Sequence, residues 1–302
     1  MQVDKKIIIN IATILFICVL GFAAWFGFTG MSHDASDGVY EGKRQLRYNL
    51  TLQNKSNRIL KNVDFWVYGP VNVTATQKVK SLKANVPYLN LNDKLGNNLL
   101  HFKFESFPPF ATKILNIKAE LAVAKIPNKT EITDLALYLK SSLYVETHQP
   151  ELVRLAKQLK GADNITTARN VLQWIKNNIK HAGYTKGSRG ALYAFQSRKG
   201  DCTEFMYLYA ALMRINGIPA RNVGGYVYKE DRVIKPEDYH NWVEIYLDGK
   251  WHVIDPYNGK YIVAQEDYLT FHYLDVSTDK NQIPERSQRF AVSDRNIRVK
   301  MN

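Results

Sequence analysis

The residues best suited to do chemistry in this sequence are one cysteine and a histidine–aspartate pair that follows it. Cys202 lies in the segment Gly-Asp-Cys-Thr-Glu at 200–204, which opens an apolar helical stretch over 203–215. At the start of a helix, free backbone N–H groups and the helix dipole favour a thiolate and can stabilise an oxyanion. Cys202 is therefore either a nucleophile or, as is commoner for cysteine, a buried and inert side chain.

The histidine and the aspartate flank a predicted β-hairpin. An Asp-Gly turn at 248–249 is a strong signal for a two-residue loop, and that loop pairs Trp242 with Asp255. His240 lies two residues beyond Trp242, so it shares a face with Asp255 at a diagonal distance of roughly 7–8 Å between Cα atoms. An aspartate in that position can fix the imidazole tautomer and stabilise the imidazolium, as a catalytic triad requires. Trp242 and Trp251 share this face, where they either shield the site from water or pack in the core.

Helices come before strands around these residues, which predicts an α+β fold for the second part of the chain. Proline near the start, glycine after the end and an apolar stripe indicate a helix over 150–159. A second stripe covers 168–179, and the Cys202 helix follows. The three strand-like runs come afterwards, at 221–228, 240–247 and 250–254.

The preceding part of the chain alternates between apolar and polar residues, as strands do. Typical runs are 47–52, 63–68, 99–104 and 114–123. It shows no helical stripe and no cluster of catalytic residue types. We therefore predict a small antiparallel β-sandwich domain over 39–125, followed by a catalytic domain over 126–302.

The N-terminal end predicts membrane anchoring. Residues 7–28 are almost continuously apolar and follow Lys5 and Lys6, and such a run spans a hydrocarbon core of roughly 30 Å. The flanking lysines orient the N-terminus toward the cytoplasm. We predict an uncleaved transmembrane helix over 1–30 and a polar tether over 31–38. The alternative is a cleaved signal peptide, although the apolar run exceeds the usual length of about 7–15 residues. In both interpretations, the rest of the chain is exported to the periplasmic or cell-surface side.

The net charge restricts the classes of binding partner, and the cysteine content indicates whether a disulfide can form. The net charge of +13 favours anionic neighbours, but the cations are scattered and no nucleic-acid-binding motif accompanies them. We therefore expect no nucleic-acid partner. The only other cysteine, Cys18, lies within the apolar run, so a disulfide with Cys202 is not expected.

Four segments together resemble the transglutaminase-like core of bacterial proteins. They are residues 200–204, 217–221, 240–244 and 251–256, and they occur in the order found in that family. The resemblance covers roughly 150–257, and it extends to the papain-like arrangement of cysteine proteases. It implies that Cys202 is the nucleophile, His240 the general base and Asp255 the orienting acid. Asn241 departs from the family, which more often has alanine there, and we expect the change to be harmless.

The resemblance also points to Gln196, six residues before Cys202, as a side-chain oxyanion donor. The alternative is an ordinary surface glutamine. We expect no metal, because His181, His252 and His272 show no ligand spacing with carboxylates or thiols, and we expect no cofactor.

The expected function is thiol-dependent acyl chemistry on amide bonds of a peptide, a protein or a cell-envelope polymer. Release of the acyl group by water would make a peptidase or amidase, and release by an amine would make a cross-linking acyltransferase. Because a fold does not fix a reaction, a second hypothesis is an anchored, non-catalytic envelope-binding module with a vestigial triad.

Overall fold

The structure is a computed structural model that describes residues 39–184, 187–262, 264–274 and 289–302. Val39–Asn302 form one compact unit. The predicted transmembrane helix and tether, 1–38, lie outside the described residues. Within the described ranges, no helix has the length and apolar character needed to cross a membrane.

Two four-stranded antiparallel sheets form the first region, and they confirm the predicted antiparallel β-structure there. The sheet orders are β15-β1-β6-β3 and β14-β2-β5-β4. Their inner faces share one apolar core, to which the long strands contribute alternate buried residues, as at Leu46, Leu50 and Leu52 of β1. The strands are β1 (Gly42–Asn54), β2 (Leu60–Gly69), β3 (Gln77–Ala84), β4 (Leu89–Asn92), β5 (Asn98–Phe107), β6 (Thr112–Val123), β14 (Phe290–Val292) and β15 (Ile297–Met301).

The last two strands bring the C-terminal end of the chain back into these sheets. β15 pairs with β1, and β14 pairs with β2. The domain division by sequence assigned both strands to the catalytic domain of 126–302, whereas the structure hydrogen-bonds them to strands of 39–125. A short run of alternating residues identifies a strand but carries no information about which distant strand will pair with it.

The second region combines four α-helices with a five-stranded antiparallel sheet of order β12-β11-β10-β9-β13, as expected for an α+β fold. The helices are α1 (Pro150–Leu159), α2 (Asn164–Asn178), α3 (Ala191–Ser197) and α4 (Cys202–Ile215). The strands of this sheet are β9 (Ala220–Val227), β10 (Tyr239–Leu247), β11 (Lys250–Asp255), β12 (Lys260–Tyr261) and β13 (Tyr268–Tyr273), and β7 (Lys180–His181) and β8 (Lys199–Gly200) form a separate parallel pair.

The hairpin of β10 and β11 has the predicted register. Leu247 pairs with Lys250, and the ladder continues to Val243 opposite Ile254. Helix α4 is buried along most of its length and packs against one face of this sheet, where Val243 and Ile254 join its core. The helix start and the hairpin are therefore held together by the largest apolar cluster of the second region.

The two regions also share core residues. Tyr226 and Phe271, from β9 and β13, are buried in the same apolar cluster as the two N-terminal sheets. Their rings pack edge to face at 4.8 Å. A polypeptide segment that contributes to both cores is consistent with one compact unit.

Candidate active site

The start of α4 is fixed by a reciprocal capping arrangement. Asp201 Oδ1 accepts a hydrogen bond from the Thr203 backbone N–H at 2.9 Å. In return, the Glu204 carboxylate accepts one from the Asp201 backbone N–H at 3.1 Å. This capping box satisfies N–H groups that would otherwise lack partners, and it places the half-buried Cys202 at the first helical position.

The Glu204 side chain is fully buried and ties a second segment to the helix start. Its Oε2 lies 2.9 Å from the Arg189 guanidinium, and its Oε1 accepts the Arg189 backbone N–H at 3.2 Å. A Cβ atom on Gly200 would come within 2.5 Å of the Glu204 Cβ, so only glycine fits there. The glycine, the buried acid and the arginine therefore hold the residues before Cys202 in one position.

His240 and Asp255 form the charged pair that the hairpin register predicts. The His240 Nε2 and Asp255 Oδ1 atoms are 2.9 Å apart, and the two residues are 8% and 1% exposed. Asp255 Oδ2 also accepts hydrogen bonds from the Tyr268 hydroxyl at 2.8 Å and the Asn258 amide at 2.7 Å. Burial alone would raise the pKa of Asp255, but the hydrogen bond and charge of His240, with help from Asn258, lower it.

The His240 imidazole contacts both other members of the predicted triad. Burial acts to lower the pKa of His240, but hydrogen bonds to Asp255 and Cys202, and the charges of both, outweigh it and raise the pKa to about 9. His240 is therefore an imidazolium at neutral pH.

Aromatic rings pack against the His240 imidazole on one side. Tyr257 stacks on His181 with 4.0 Å between ring centroids, and it packs edge-on against His240 at 5.8 Å. Phe205, in the first turn of α4, packs edge-on against Tyr257 at 5.3 Å. These rings limit the access of water to His240 from that side. The pair of His240 and Asp255 therefore lies in a partly apolar environment.

The structure thus brings Cys202, His240 and Asp255 together. Gln196 is exposed on α3, and within the described ranges its side chain makes no hydrogen bond. The oxyanion role of Gln196 remains a prediction. Trp242 and Trp251 are at most 1% exposed and pack in the interior, Trp242 edge-on against Tyr268.

Sequence reasoning missed Asn258 and Tyr268, the two additional partners of Asp255. An asparagine three residues after an aspartate in an Asp-Pro turn is a local pattern that favours side-chain-to-backbone bonding, and the Asn258 N–H does donate to Asp255 Oδ1 at 3.1 Å. That pattern could have identified Asn258. Tyr268 comes from β13, which β9 separates from β10, and no local pattern links it to the site.

No three His, Cys, Asp or Glu side chains are grouped closely enough to hold a metal ion in the part of the chain that the structure describes. The expectation that the protein uses no metal stays a prediction. The chemistry of the site can be derived from the thiol, the imidazole and the carboxylate alone.

Comparison with known proteins identifies the same core. A sequence model described as the transglutaminase-like superfamily matches residues 153–256. An uncharacterised protein of Mycobacterium leprae (strain TN) is 30% identical over 98 residues, which are 31% of this chain and 35% of that protein. The chain thus matches only about a third of the length of this curated relative.

A solved structure of low sequence identity shares the fold of this chain. A protein of Cytophaga hutchinsonii proposed to be a cysteine protease superposes with a TM-score of 0.60 at 19% identity, over 86% of this chain and 90% of that chain. The periplasmic domain of TgpA from Pseudomonas aeruginosa is 15% identical, over 70% of this chain and 88% of that chain, with a TM-score of 0.37. The sequence model alone places the segment 153–256, which carries Cys202, His240 and Asp255, in the transglutaminase-like superfamily.

Proposed function

We propose that this protein is a cysteine-dependent enzyme that acts on amide bonds through a thioester intermediate. The proposal is carried by one observation: His240 Nε2 lies 2.9 Å from Asp255 Oδ1, and the interaction with Cys202 is among the causes that raise the pKa of His240 to about 9. The arrangement supplies a nucleophile, a proton donor beside it and a carboxylate that keeps the donor charged and oriented.

In the acylation step, the Cys202 thiolate attacks the carbonyl carbon of the amide. Negative charge develops on the carbonyl oxygen, and backbone N–H groups at the start of α4 stabilise it. His240 then gives its proton to the amide nitrogen, the C–N bond breaks, and an amine leaves. The acyl group remains on Cys202 as a thioester, and His240 is neutral.

In the second step, His240 removes a proton from the acceptor as the acceptor attacks the thioester carbonyl. The C–S bond breaks and the thiolate and imidazolium pair is restored. With water as acceptor, the protein is a peptidase or amidase, and with an amine it is an acyltransferase. We favour hydrolysis of a peptide or protein substrate. Mass spectrometry of the products with and without an added primary amine distinguishes the two reactions.

We further propose that the enzyme is anchored in a membrane and works outside the cytoplasm, with peptide, protein or cell-envelope polymer substrates within reach. The support is the apolar run of 7–28 and its flanking Lys5 and Lys6. A reporter that is active only outside the cytoplasm, fused after Asn302, should be active. Activity of a cytoplasmic reporter at that position would contradict the proposed location.

The test of the chemistry uses the reaction of Cys202 with iodoacetamide and a matched set of variants. Wild-type protein should be alkylated at Cys202, Cys202→Ala should not be, and His240→Ala should react much more slowly at neutral pH. In an amide-cleavage assay the two single variants should be equally inactive and the double variant no worse, because triad residues act as one unit. Full complementation of a deletion strain by Cys202→Ala would instead indicate a non-catalytic binding role.

A further inference from the structure

One hydrogen bond links the neighbours of the two reacting residues. The Asn241 side-chain amide donates to the Thr203 hydroxyl at 2.9 Å. Thr203 follows Cys202 on α4, and Asn241 follows His240 on β10. This contact therefore joins the helix that carries the thiol to the strand that carries the imidazole, one residue away from each.

The strand geometry explains why Asn241 can make this contact. Side chains alternate along a strand, so His240 points to the face of the sheet that holds Asp255, and Asn241 points to the opposite face. That opposite face is the one on which α4 packs, through Val243 and Ile245. An alanine at this position would have no side-chain donor and could not form this bond.

Gly224 provides the room that Asn241 needs. It lies directly opposite Asn241 in the ladder between β9 and β10. A Cβ atom on Gly224 would come within 3.2 Å of the Asn241 Oδ1 and within 2.4 Å of the Tyr239 hydroxyl. A larger residue would therefore clash with the Tyr239 hydroxyl and press against the Asn241 Oδ1.

The Oδ1 atom of Asn241 lies in an environment that lowers the stability of the fold. Asn241 is 6% exposed, and its Oδ1 is buried without a hydrogen-bond partner among the described residues. A buried acceptor without a partner is destabilising, so an alanine would be the more stable choice if only packing mattered. The donor bond to Thr203 is the interaction that the asparagine adds in return.

We propose that the Thr203–Asn241 hydrogen bond is a positioning contact that sets the Cys202 thiol against the His240 imidazole. The inference rests on the proposed function, because a distance between these groups matters only if they react together. Hydrogen bonding between thiol and imidazole requires placement within a fraction of an ångström, and helix packing alone permits larger shifts. Asn241 and Thr203 act through their neighbours and touch no substrate.

The experiment compares Asn241→Ala, Thr203→Val and the double variant with wild type in two measurements. The first is the rate of Cys202 alkylation by iodoacetamide at pH 7, and the second is the titration of the His240 ring by NMR. Each single variant should react about three- to tenfold more slowly, the range expected for one lost hydrogen bond, and the double variant should be no slower. The His240 midpoint should fall below about 9, because contact with Cys202 is one of the causes that raise it. Thr203→Ser keeps the hydroxyl, so its alkylation rate and its His240 midpoint should equal those of wild type.

Asn216→Ala is the matched control, because Asn216 ties the other end of α4 to the fold. Its amide donates to the Ala156 carbonyl at 3.0 Å and to the Leu212 carbonyl at 3.1 Å. This variant should melt at a lower temperature without any change in alkylation rate or His240 midpoint. The proposal is overturned if Asn241→Ala also leaves the alkylation rate and the His240 midpoint unchanged. If wild type reacts no faster than His240→Ala, the proposed function fails and the positioning role fails with it.

Discussion

Two buried charged pairs lie on the same face of the five-stranded sheet, and we propose a catalytic role for only one of them. Glu244 and His240 are on the same side of β10. Glu244 Oε2 accepts a hydrogen bond from Arg221 at 2.7 Å, and His240 bonds Asp255 at 2.9 Å. All four residues are at most 8% exposed. Burial and opposite charge therefore do not distinguish the proposed catalytic pair, His240 and Asp255, from the pair of Glu244 and Arg221.

The difference lies in what surrounds each cation. The Arg221 guanidinium is sandwiched between the rings of Trp251 and Tyr273, 4.1 and 4.2 Å from their centroids. His240 instead contacts the thiol of Cys202 and can release its proton, whereas arginine in a protein cannot. A charged pair that takes part in catalysis therefore needs a group that can change its charge and a reactive neighbour.

The largest expected contrast follows from removing the acid of each pair. Glu244→Gln leaves a buried arginine that cannot lose its charge, so the free energy of unfolding should fall by about 3–5 kcal/mol. Asp255→Asn leaves a histidine that can become neutral, so the loss should be about 1–2 kcal/mol, mostly from weakened hydrogen bonds. Urea unfolding of both variants measures these losses.

The same two variants should show the opposite order in activity. Amide cleavage or Cys202 alkylation by Asp255→Asn should fall by about 100-fold or more, since the imidazolium and its orientation are lost. Folded Glu244→Gln should react within a few-fold of wild type. Equal stability losses, or a dead Glu244→Gln protein that is still folded, would remove the distinction between the two pairs.

The sequence predicted this hairpin well, because its information is local. The Asp-Gly turn fixes the register, and the register alone puts His240 on the face of Asp255. The segment 200–204 likewise contains its own capping residues, so the start of the Cys202 helix was predictable. In both places the deciding interactions join residues close in the chain.

The contacts that refine the site were not predictable in the same way. Tyr268 reaches Asp255 from a strand on the other side of β9, and Asn241 reaches Thr203 across the packing of sheet and helix. The pairing of the C-terminal strands β14 and β15 with the first region is equally non-local. Such contacts depend on how elements pack, and periodicity and turn residues do not encode packing partners.

The next contrast is in the pH dependence of stability. The pKa of His240 is about 9 in the folded protein and about 6.5 in an unfolded chain, so its stabilising effect is complete below pH 6.5 and is lost as pH rises toward 9. The lowered pKa of Asp255 acts on the acid side, where stability is lost as pH falls below about 4. Arg221 stays charged throughout, because Glu244 raises its pKa further in spite of burial.

The difference in unfolding free energy between wild type and His240→Ala should therefore shrink by on the order of 2–3 kcal/mol between pH 6.5 and 9. The corresponding difference for Glu244→Gln should stay constant over the same range. Urea unfolding at several pH values measures both curves. Parallel curves for wild type and His240→Ala would mean that the imidazole gains no proton affinity from folding.

The smallest expected contrast uses two tyrosines of β13, one beside each charged pair. The Tyr268 hydroxyl donates to Asp255 Oδ2 at 2.8 Å, whereas Tyr273 offers its ring to Arg221. Tyr268→Phe should lower stability by about 1 kcal/mol and slow Cys202 alkylation a few-fold, because one donor that holds the carboxylate is lost. The remaining bonds from His240 and Asn258 keep Asp255 ionised and oriented, so activity should not disappear.

Tyr273→Phe keeps the ring over Arg221 and should leave the alkylation rate unchanged. If the two variants slow alkylation equally, the effect belongs to the packing of β13 in general, and Tyr268 has no specific part in orienting Asp255.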